Sequence, residues 1–364
     1  MNIAFFTDTY KPNVDGVVIC IELLKKELER KGHKVYVFAP SPGMETRMDK
    51  EVYYFESHPF LPYPQYRIAM VRDATLGIDR LARMCKELKI DAIHSHGIAF
   101  TSIAAYRVAK RMGIPKVITF HTNVAGATHY ISKFRIIEKS FEEITWRYLR
   151  WLYSNYDEVL APSQRAHDML KEQGIKSTVF PNGIGIGDYL KLRRNPNKKG
   201  AMILHVGRIV REKRIDIAMG MVKGKKDVSL DVIGKGPGLG HYRNLAREMK
   251  IENVNFQGYV DHEKLNGYYR KANALIFCSP FDTQGLVVVE ALASGMPVIA
   301  MEGTSGAEIA QEVSKELVFS NQEEFDRAVS YAKRHGDCRK CREVSRKYDI
   351  REQARRLIEK YKRK

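Results

Sequence analysis

Two carboxylates, Asp282 and Glu290, stand eight positions apart in FDTQGLVVVEALASGMPVIA (Phe281 to Ala300), with Gly285 between them. Gly285 opens a helix-like run in which Leu286, Val289 and Ala293 are read as facing a sheet, so the free N–H groups of Gly285, Leu286 and Val287 are directed at an anion. Asp282 precedes that turn and Glu290 comes about two helical turns later. Carboxylates are poor ligands for phosphate and good acceptors for vicinal hydroxyls. The set suits a ligand with a diphosphate in its middle and hydroxylated rings at both ends, which describes a nucleotide sugar.

A second candidate is HVGRIVREKRID, where Gly207 and Arg208 follow a strand and Lys213 comes five residues after Arg208. Arg208 as a planar fork and Lys213 as a point charge could grip a diphosphate. Taken alone, the segment fits a solvated basic loop equally well. GKGPGLG (Gly234 to Gly240) also follows a strand, but a dinucleotide fingerprint needs glycine at 239, where the chain has Leu239, and Pro237 interrupts the turn. The loop is therefore expected to approach a ligand other than NAD, since glycine permits close backbone contact.

These segments are positioned by alternating strands and helices. NIAFFTDTY, a loop, VVICIELLKKELERKG and HKVYVFAP spell strand, helix, strand, and Val17, Ile21, Leu24 and Leu28 share one helix face. The unit recurs through IDAIHSH, KVITFHT and DEVLAPS, and again through AMILHVGRI, VSLDVIGKG, NVNFQGYV, NALIFCSP and MPVIAME. Such alternation implies an α/β fold of two Rossmann-like, doubly wound domains with a ligand cleft between them. The polar, basic stretch KLRRNPNKKG (Lys191 to Gly200) marks the boundary. Residues 1–190 form the N-terminal domain, 200–345 the C-terminal one, and 346–364 a basic helix expected to pack back toward the N-terminal domain.

The chain has 364 residues, a net charge of +18 and 29% charged residues, which asks for an anionic partner without naming it. Helix-turn-helix, zinc-finger, RRM and OB signatures are missing and the basic residues are spread out, so no nucleic-acid partner is expected. Five scattered cysteines suggest a reducing compartment, and CRKC (Cys338 to Cys341) reads as two incidental thiols. No leader pattern opens the chain and no run of about 18 apolar residues occurs, so a cytoplasmic protein, soluble or peripheral on the inner face of the cell membrane, is expected.

Taken together, DTQGLVVVEALASGMPVI with its D-x7-E spacing, HVGRIVREK, VIGKGP, FQGYV and PNGIG resemble the E-x7-E retaining glycosyltransferases of the GT-B fold, family 4. The resemblance covers nearly the whole chain. It implies that Arg208 and Lys213 bind the donor diphosphate and stabilise charge on the leaving group, and that Glu290 holds the ribose hydroxyls. Asp282 takes the place of the first family glutamate, beside the transferred sugar, and is one methylene shorter. The backbone at Gly285, Leu286 and Val287 would meet sugar and phosphate, while Gly207, Gly236, Pro237, Gly258 and Tyr259 border the nucleotide. Gln284 departs from the phenylalanine common at that position. Gly16 matches a loop glycine near the donor phosphate and His121 a histidine beside the sugar.

The resemblance further implies transfer with retention by front-face attack, with no essential metal and no cofactor beyond a UDP- or GDP-sugar donor. The paired His94 and His96 have no Asp, Glu or Cys nearby in sequence to complete a metal set and read as cleft-lining. For the acceptor, Asp15, Tyr66, Arg67, His96, Asn123 and Tyr130 are the candidates. YPQYR, FHTN and THYISK look like the branch that glycosylates diacylglycerol or phosphatidylinositol-type lipids. The aromatic and basic stretch from His121 to Tyr153 fits an anionic membrane surface, although a helix with Phe141, Trp146 and Tyr153 in its core and the lysines on its wet face is the more common source of such a pattern. A soluble sugar phosphate or saccharide is the alternative acceptor.

Overall fold

The structure is a computed structural model that describes residues 1–13, 15–60, 63–70, 77–121 and 135–362, the side chains of 60, 63–66, 135–139 and 262 excepted. The chain divides into two compact units, Met1–Gly183 with Ile350–Lys364, and Ile184–Asp349.

In the first unit β1 (Asn2–Phe6) leads through α1 (Gly16–Arg30) to β2 (Lys34–Pro40), β3 (Arg47–Asp49) and β4 (Val52–Phe55). A hairpin of β5 (Ser57–Phe60) and β6 (Tyr63–Ala69) precedes α2 (Ile78–Glu87), β7 (Ala92–Ser95) and α3 (Phe100–Met112). Then come β8 (Lys116–Thr119), α4 (Arg135–Tyr153), β9 (Glu158–Ala161), α5 (Gln164–Glu172) and β10 (Thr178–Val179). The sheet order is β10-β9-β8-β7-β1-β2-β4-β3, parallel except for the antiparallel edge pair β3 and β4.

The second unit runs α6 (Ile186–Leu190), β11 (Ala201–Val206), α7 (Ile215–Val222), β12 (Val228–Ile233), α8 (Leu239–Glu248) and β13 (Val254–Gly258). It continues α9 (His262–Lys271), β14 (Ala274–Phe277), α10 (Leu286–Ala293), β15 (Val298–Met301) and α11 (Ser305–Ala310). It ends with β16 (Val318–Phe319), α12 (Gln322–Arg334) and α13 (Arg339–Ser345), after which α14 (Ile350–Lys362) belongs to the first unit. Its sheet, β13-β12-β11-β14-β15-β16, is parallel throughout.

Strand alternation distributes the first unit's core over both sheet faces. Ile3 and Phe5 of β1 join a cluster under α1 and α14, whereas Ala4 and Phe6 point into the cluster under α2 and α3. Helix α14 contributes Ile350, Ala354, Leu357, Ile358 and Tyr361, the spacing of one helical face. Each large apolar side chain so buried contributes roughly 1.5–3 kcal/mol. Tyr361 also places its hydroxyl 2.6 Å from His94 Nδ1, and the Arg356 guanidinium lies 5.2 Å from the Phe180 ring centroid.

The polar stretch Lys191–Gly200 lies inside the second unit. Arg194, within it, donates to the carbonyls of Tyr269, Ala272 and Gly336, so a side chain that composition marks as linker is a buried tie between α9 and the segment after α12. Burial lowers its pKa to about 10.

In both sheets the chain starts in the middle, builds outward on one side, and then returns to build on the other. Neighbouring strands β1 and β7, and β11 and β14, mark the reversals. At such a switch point the two following loops diverge and open a crevice beyond the strand ends.

Beyond β11 and β12 the loops are pressed together. A Cβ on Gly234, whose φ is +146°, would lie 1.8 Å from the Gly207 carbonyl oxygen, and one on Gly236 would lie 2.3 Å from that of Ile209. Gly234→Ala is therefore expected to lower unfolding free energy by about 3 kcal/mol. Gly240→Ala, in α8 with open space around it, should raise it by about 0.5–1 kcal/mol. Urea unfolding of the two variants checks the pair, and equal effects would contradict it.

Candidate active site

In the second unit, the loop after β11 carries Gly207, exposed Arg208 and, in a short 3-10 turn, Lys213. The loop after β14 carries Asp282. The two meet across the switch point, where Lys213 Nζ donates to Asp282 Oδ1 at 2.8 Å and Oδ2 at 2.6 Å. Ser305 Oγ donates to the Asp282 carbonyl at 2.8 Å and fixes the backbone behind the carboxylate. The cation expected to meet a diphosphate and the acid expected to meet a sugar thus form one ion pair, about three-quarters buried on each side.

Gly285 adopts φ +81°, and a Cβ there would lie 2.7 Å from the Phe277 ring, so only glycine fits this turn. No side chain caps the following helix, α10, which leaves its first-turn N–H groups suited to an anion. Val288, Val289, Leu292 and Ala293 are buried, whereas Leu286 is only half-buried: the sheet-facing stripe expected at Leu286, Val289 and Ala293 is displaced by one or two positions at its start. Glu290 sits at the border of the buried face, with Oε2 accepting from the Tyr269 hydroxyl at 2.9 Å.

The glycine loop after β12 has a structural reason for its composition. Ile209 N–H donates to the Lys235 carbonyl at 3.0 Å and Gly238 N–H to that of Ile209 at 2.9 Å, so Gly236 allows loop-on-loop packing, with Pro237 exposed beside it. Gly258 takes φ +72° and its carbonyl accepts from Gly234 N–H at 2.8 Å. Tyr259 is exposed, with Lys235 Nζ 4.8 Å from its ring centroid.

In the first unit, Gly16 begins α1 with open space where a Cβ would be. Asp15 caps that helix: Oδ1 accepts from Val17 and Val18 N–H at 2.9 and 3.0 Å, and Oδ2 from Thr9 Oγ1 at 3.1 Å. Its carboxylate thus has a local structural task where an acceptor contact was expected. Arg67 is similarly engaged, donating to Ser57 Oγ, Ser57 O and Gly43 O at 2.7–2.9 Å, while it lines a cavity of about 140 Å³ with Asp8, Lys11 and Asn13. Asn123, Tyr130 and the side chain of Tyr66 lie outside the described residues.

The histidines after β7 and β8 form a chain. His121 Nε2 lies 2.9 Å from His96 Nδ1, and the His96 ring stacks near His94 with centroids 4.1 Å apart. His94 lies between Tyr361 and Thr119 Oγ1, 2.6 and 2.7 Å from its two nitrogens. It is therefore a core histidine and not a cleft-lining one. His96 is also buried, so it touches His121 where exposure to an acceptor was expected. Burial pushes His94 and His96 well below the usual imidazole range and His121 down to about 4, which keeps all three neutral near pH 7.

Three contributors escape a reading of the sequence. Asp8, after β1, accepts from Ile98 and Ala99 N–H at 2.6 and 2.8 Å and from the Thr101 hydroxyl, closing the first unit's switch point. Gly97 has no Cβ because one would lie 2.2 Å from Asp8 Oδ2. His205, buried in β11 beside the charges of Lys213 and Asp282, is lowered to about 4 by burial. Tyr269 reaches Glu290 from α9. The position of Asp8 at a strand end was an available signal, whereas nothing local marks His205 or Tyr269.

The profile of Glycosyltransferase Family 4 matches residues 14–187, and that of Glycosyl transferases group 1 matches residues 190–348. The chain is 31% identical over 322 residues to an alpha-monoglucosyldiacylglycerol synthase of Streptococcus pneumoniae, spanning 82% of this chain and 71% of that one. The chain belongs to glycosyltransferase family 4. The glycosyltransferase is also 27% identical over 353 residues to the alpha-monoglucosyldiacylglycerol synthase of Acholeplasma laidlawii, spanning 89% and 86% of the two chains. Its fold is shared with a sucrose-phosphate synthase from Thermosynechococcus elongatus at a TM-score of 0.74, 18% identity and 99% and 98% coverage. It is a hexosyltransferase of the GT-B class, with two Rossmann-like domains.

The depressed histidine pKa values of the glycosyltransferase fix a sign for its acid response. Between pH 6.5 and about 4 the unfolded chain binds protons on these residues that the folded chain does not. Stability is fully present above pH 6.5 and falls as pH drops, by up to about 1.4 kcal/mol per pH unit for each histidine. Urea midpoints at pH 7.5, 6.5 and 5.5 should decline below 6.5, and a flat series would mean that these imidazoles accept protons in the folded state.

Proposed function

We propose that this glycosyltransferase moves glucose, with retention, from a nucleotide sugar to a hydroxyl of a membrane glycerolipid such as diacylglycerol. The donor part rests on the anion-receptive cluster of the second unit: Arg208, Lys213 and the uncapped start of α10, with Asp282 and Glu290 as hydroxyl acceptors. Lys213 and Arg208 would neutralise the departing diphosphate, Asp282 would hold the sugar and Glu290 the ribose. As the diphosphate arrives, Lys213 exchanges one anion, Asp282, for another, leaving the carboxylate to accept from the sugar.

The acceptor part is supported by the two relatives named alpha-monoglucosyldiacylglycerol synthase and by helix α4. Trp146, Leu149, Leu152 and Tyr153 face the core, while Phe141, Ile144 and Trp151 are exposed beside Arg147 and Arg150. Apolar and cationic side chains on one surface suit peripheral attachment to an anionic bilayer on its cytoplasmic side. Among the described residues no helix is long and apolar enough to cross a membrane.

The test is nucleoside diphosphate release from UDP-glucose, UDP-galactose, UDP-N-acetylglucosamine and GDP-mannose, with and without vesicles of diacylglycerol and anionic phospholipid. Release from UDP-glucose that rises with vesicles is expected. Release indifferent to vesicles would transfer the assignment to a soluble saccharide or sugar phosphate, and release from none of the donors would overturn it.

Because the two cations act on charge that develops as the bond breaks, Lys213→Met and Arg208→Met should each lower kcat about 100-fold or more, with donor KM changing far less. A large rise in KM at unchanged kcat would remove them from the transition state.

A further inference from the structure

Glu290 is a half-buried carboxylate on α10, and what holds it is a pair of phenols. Tyr269, on α9, is fully buried and donates its hydroxyl to Glu290 Oε2 at 2.9 Å. Tyr189, on α6, is also buried, hydrogen-bonds Glu290, and lies with its ring centroid 6.0 Å from that of Tyr269. Burial and the adjacent carboxylate raise both phenols far above their ordinary pKa, so each stays protonated and able to donate. The backbone of Tyr269 is anchored in turn, its carbonyl accepting from the buried guanidinium of Arg194.

A buried tyrosine hydroxyl needs an acceptor, and main-chain carbonyls supply one in most cores. Here two phenols from two helices converge on one side chain at the border of the site. A free glutamate loses up to about 2 kcal/mol of rotamer entropy on being fixed, and fixing it before the ligand arrives removes that cost from binding. A carboxylate offers about four lone-pair sites over its two oxygens, more than the two phenols can fill.

We propose that Tyr269, with Tyr189, is a positioning residue that orients Glu290 toward the ribose hydroxyls of the nucleotide. The proposal rests on the reading of Glu290 as the ribose ligand, and the experiment separates the two. Binding of UDP and GDP, each against its 2′-deoxy form, is measured by calorimetry on the full-length wild-type protein and on Tyr269→Phe and Tyr189→Phe. Phenylalanine keeps the ring and its packing and removes only the hydroxyl. Circular dichroism and thermal midpoints accompany each variant, and Tyr189→Phe serves if Tyr269→Phe fails to fold.

The wild type is expected to prefer the ribonucleotide over its 2′-deoxy form about tenfold, a hydrogen bond to a charged group being worth roughly that much. In Tyr269→Phe the preference should fall toward unity while affinity for the deoxy form stays near the wild-type value and the fold is intact. A folded Tyr269→Phe and Tyr189→Phe that both keep the preference would overturn the positioning role. A wild type with no preference, or with no binding of either nucleotide, would overturn the ribose reading of Glu290 beneath it.

Discussion

A parallel sheet that starts in its middle must reverse direction once, and both units of this protein place their chemistry at that reversal. The loops after β1 and β7 diverge in one sheet, and those after β11 and β14 in the other. Something must hold each pair of loops at a fixed distance across the crevice. In the first unit Asp8 does so, taking two backbone N–H groups and a hydroxyl from the far loop. In the second unit the Lys213–Asp282 ion pair does so, side chain to side chain. The same topological gap is bridged to backbone amides in one unit and by a side-chain ion pair in the other.

This difference has an energetic basis. Asp8 is half-buried and accepts mainly from backbone amides just before α3, which are held in place by the chain itself. Lys213 and Asp282 retain some exposure, and on the proposed reading a diphosphate would offer Lys213 a second anion. Ser305 holds the Asp282 carbonyl behind the carboxylate. The histidine chain of the first unit works in the opposite electrostatic sense. Desolvation keeps the rings neutral, so near pH 7 they contribute hydrogen bonds and shape and not charge.

Helix α4 shows how one amphipathic pattern supports two surfaces. Its inner aromatics, Trp146 and Tyr153, complete the core with Phe120, and its outer ones, Phe141 and Trp151, remain at the surface. The sequence left both a core face and a surface face open, and the helix buries Trp146 and Tyr153 while Phe141, expected in the core, is exposed. The peripheral-membrane reading rests on the outer set alone, in which Glu142 and Glu143 stand beside the arginines and moderate the local positive charge.

Strand and helix alternation, the helix start at Gly285, the loops after strands that carry Arg208, Lys213 and Asp282, and the place of Glu290 on the following helix were all legible in the sequence, because each follows from local periodicity or from one residue's conformational range. The hairpin β5–β6 was not, since pairing between short strands depends on partners and not on pattern. The sequence likewise offered no sign that Lys191–Gly200 would fold into the second unit, because the carbonyls that bind Arg194 lie far away in the chain. Nor did it show that Asp15 caps α1 or that Arg67 bonds Ser57 and Gly43, since those partners are fixed by the fold. Local chemistry determined which residue types would gather at the strand ends. Tertiary structure alone decided which of them would meet, since the contacts of Lys213 with Asp282, His96 with His121 and Tyr269 with Glu290 join positions 69, 25 and 21 residues apart.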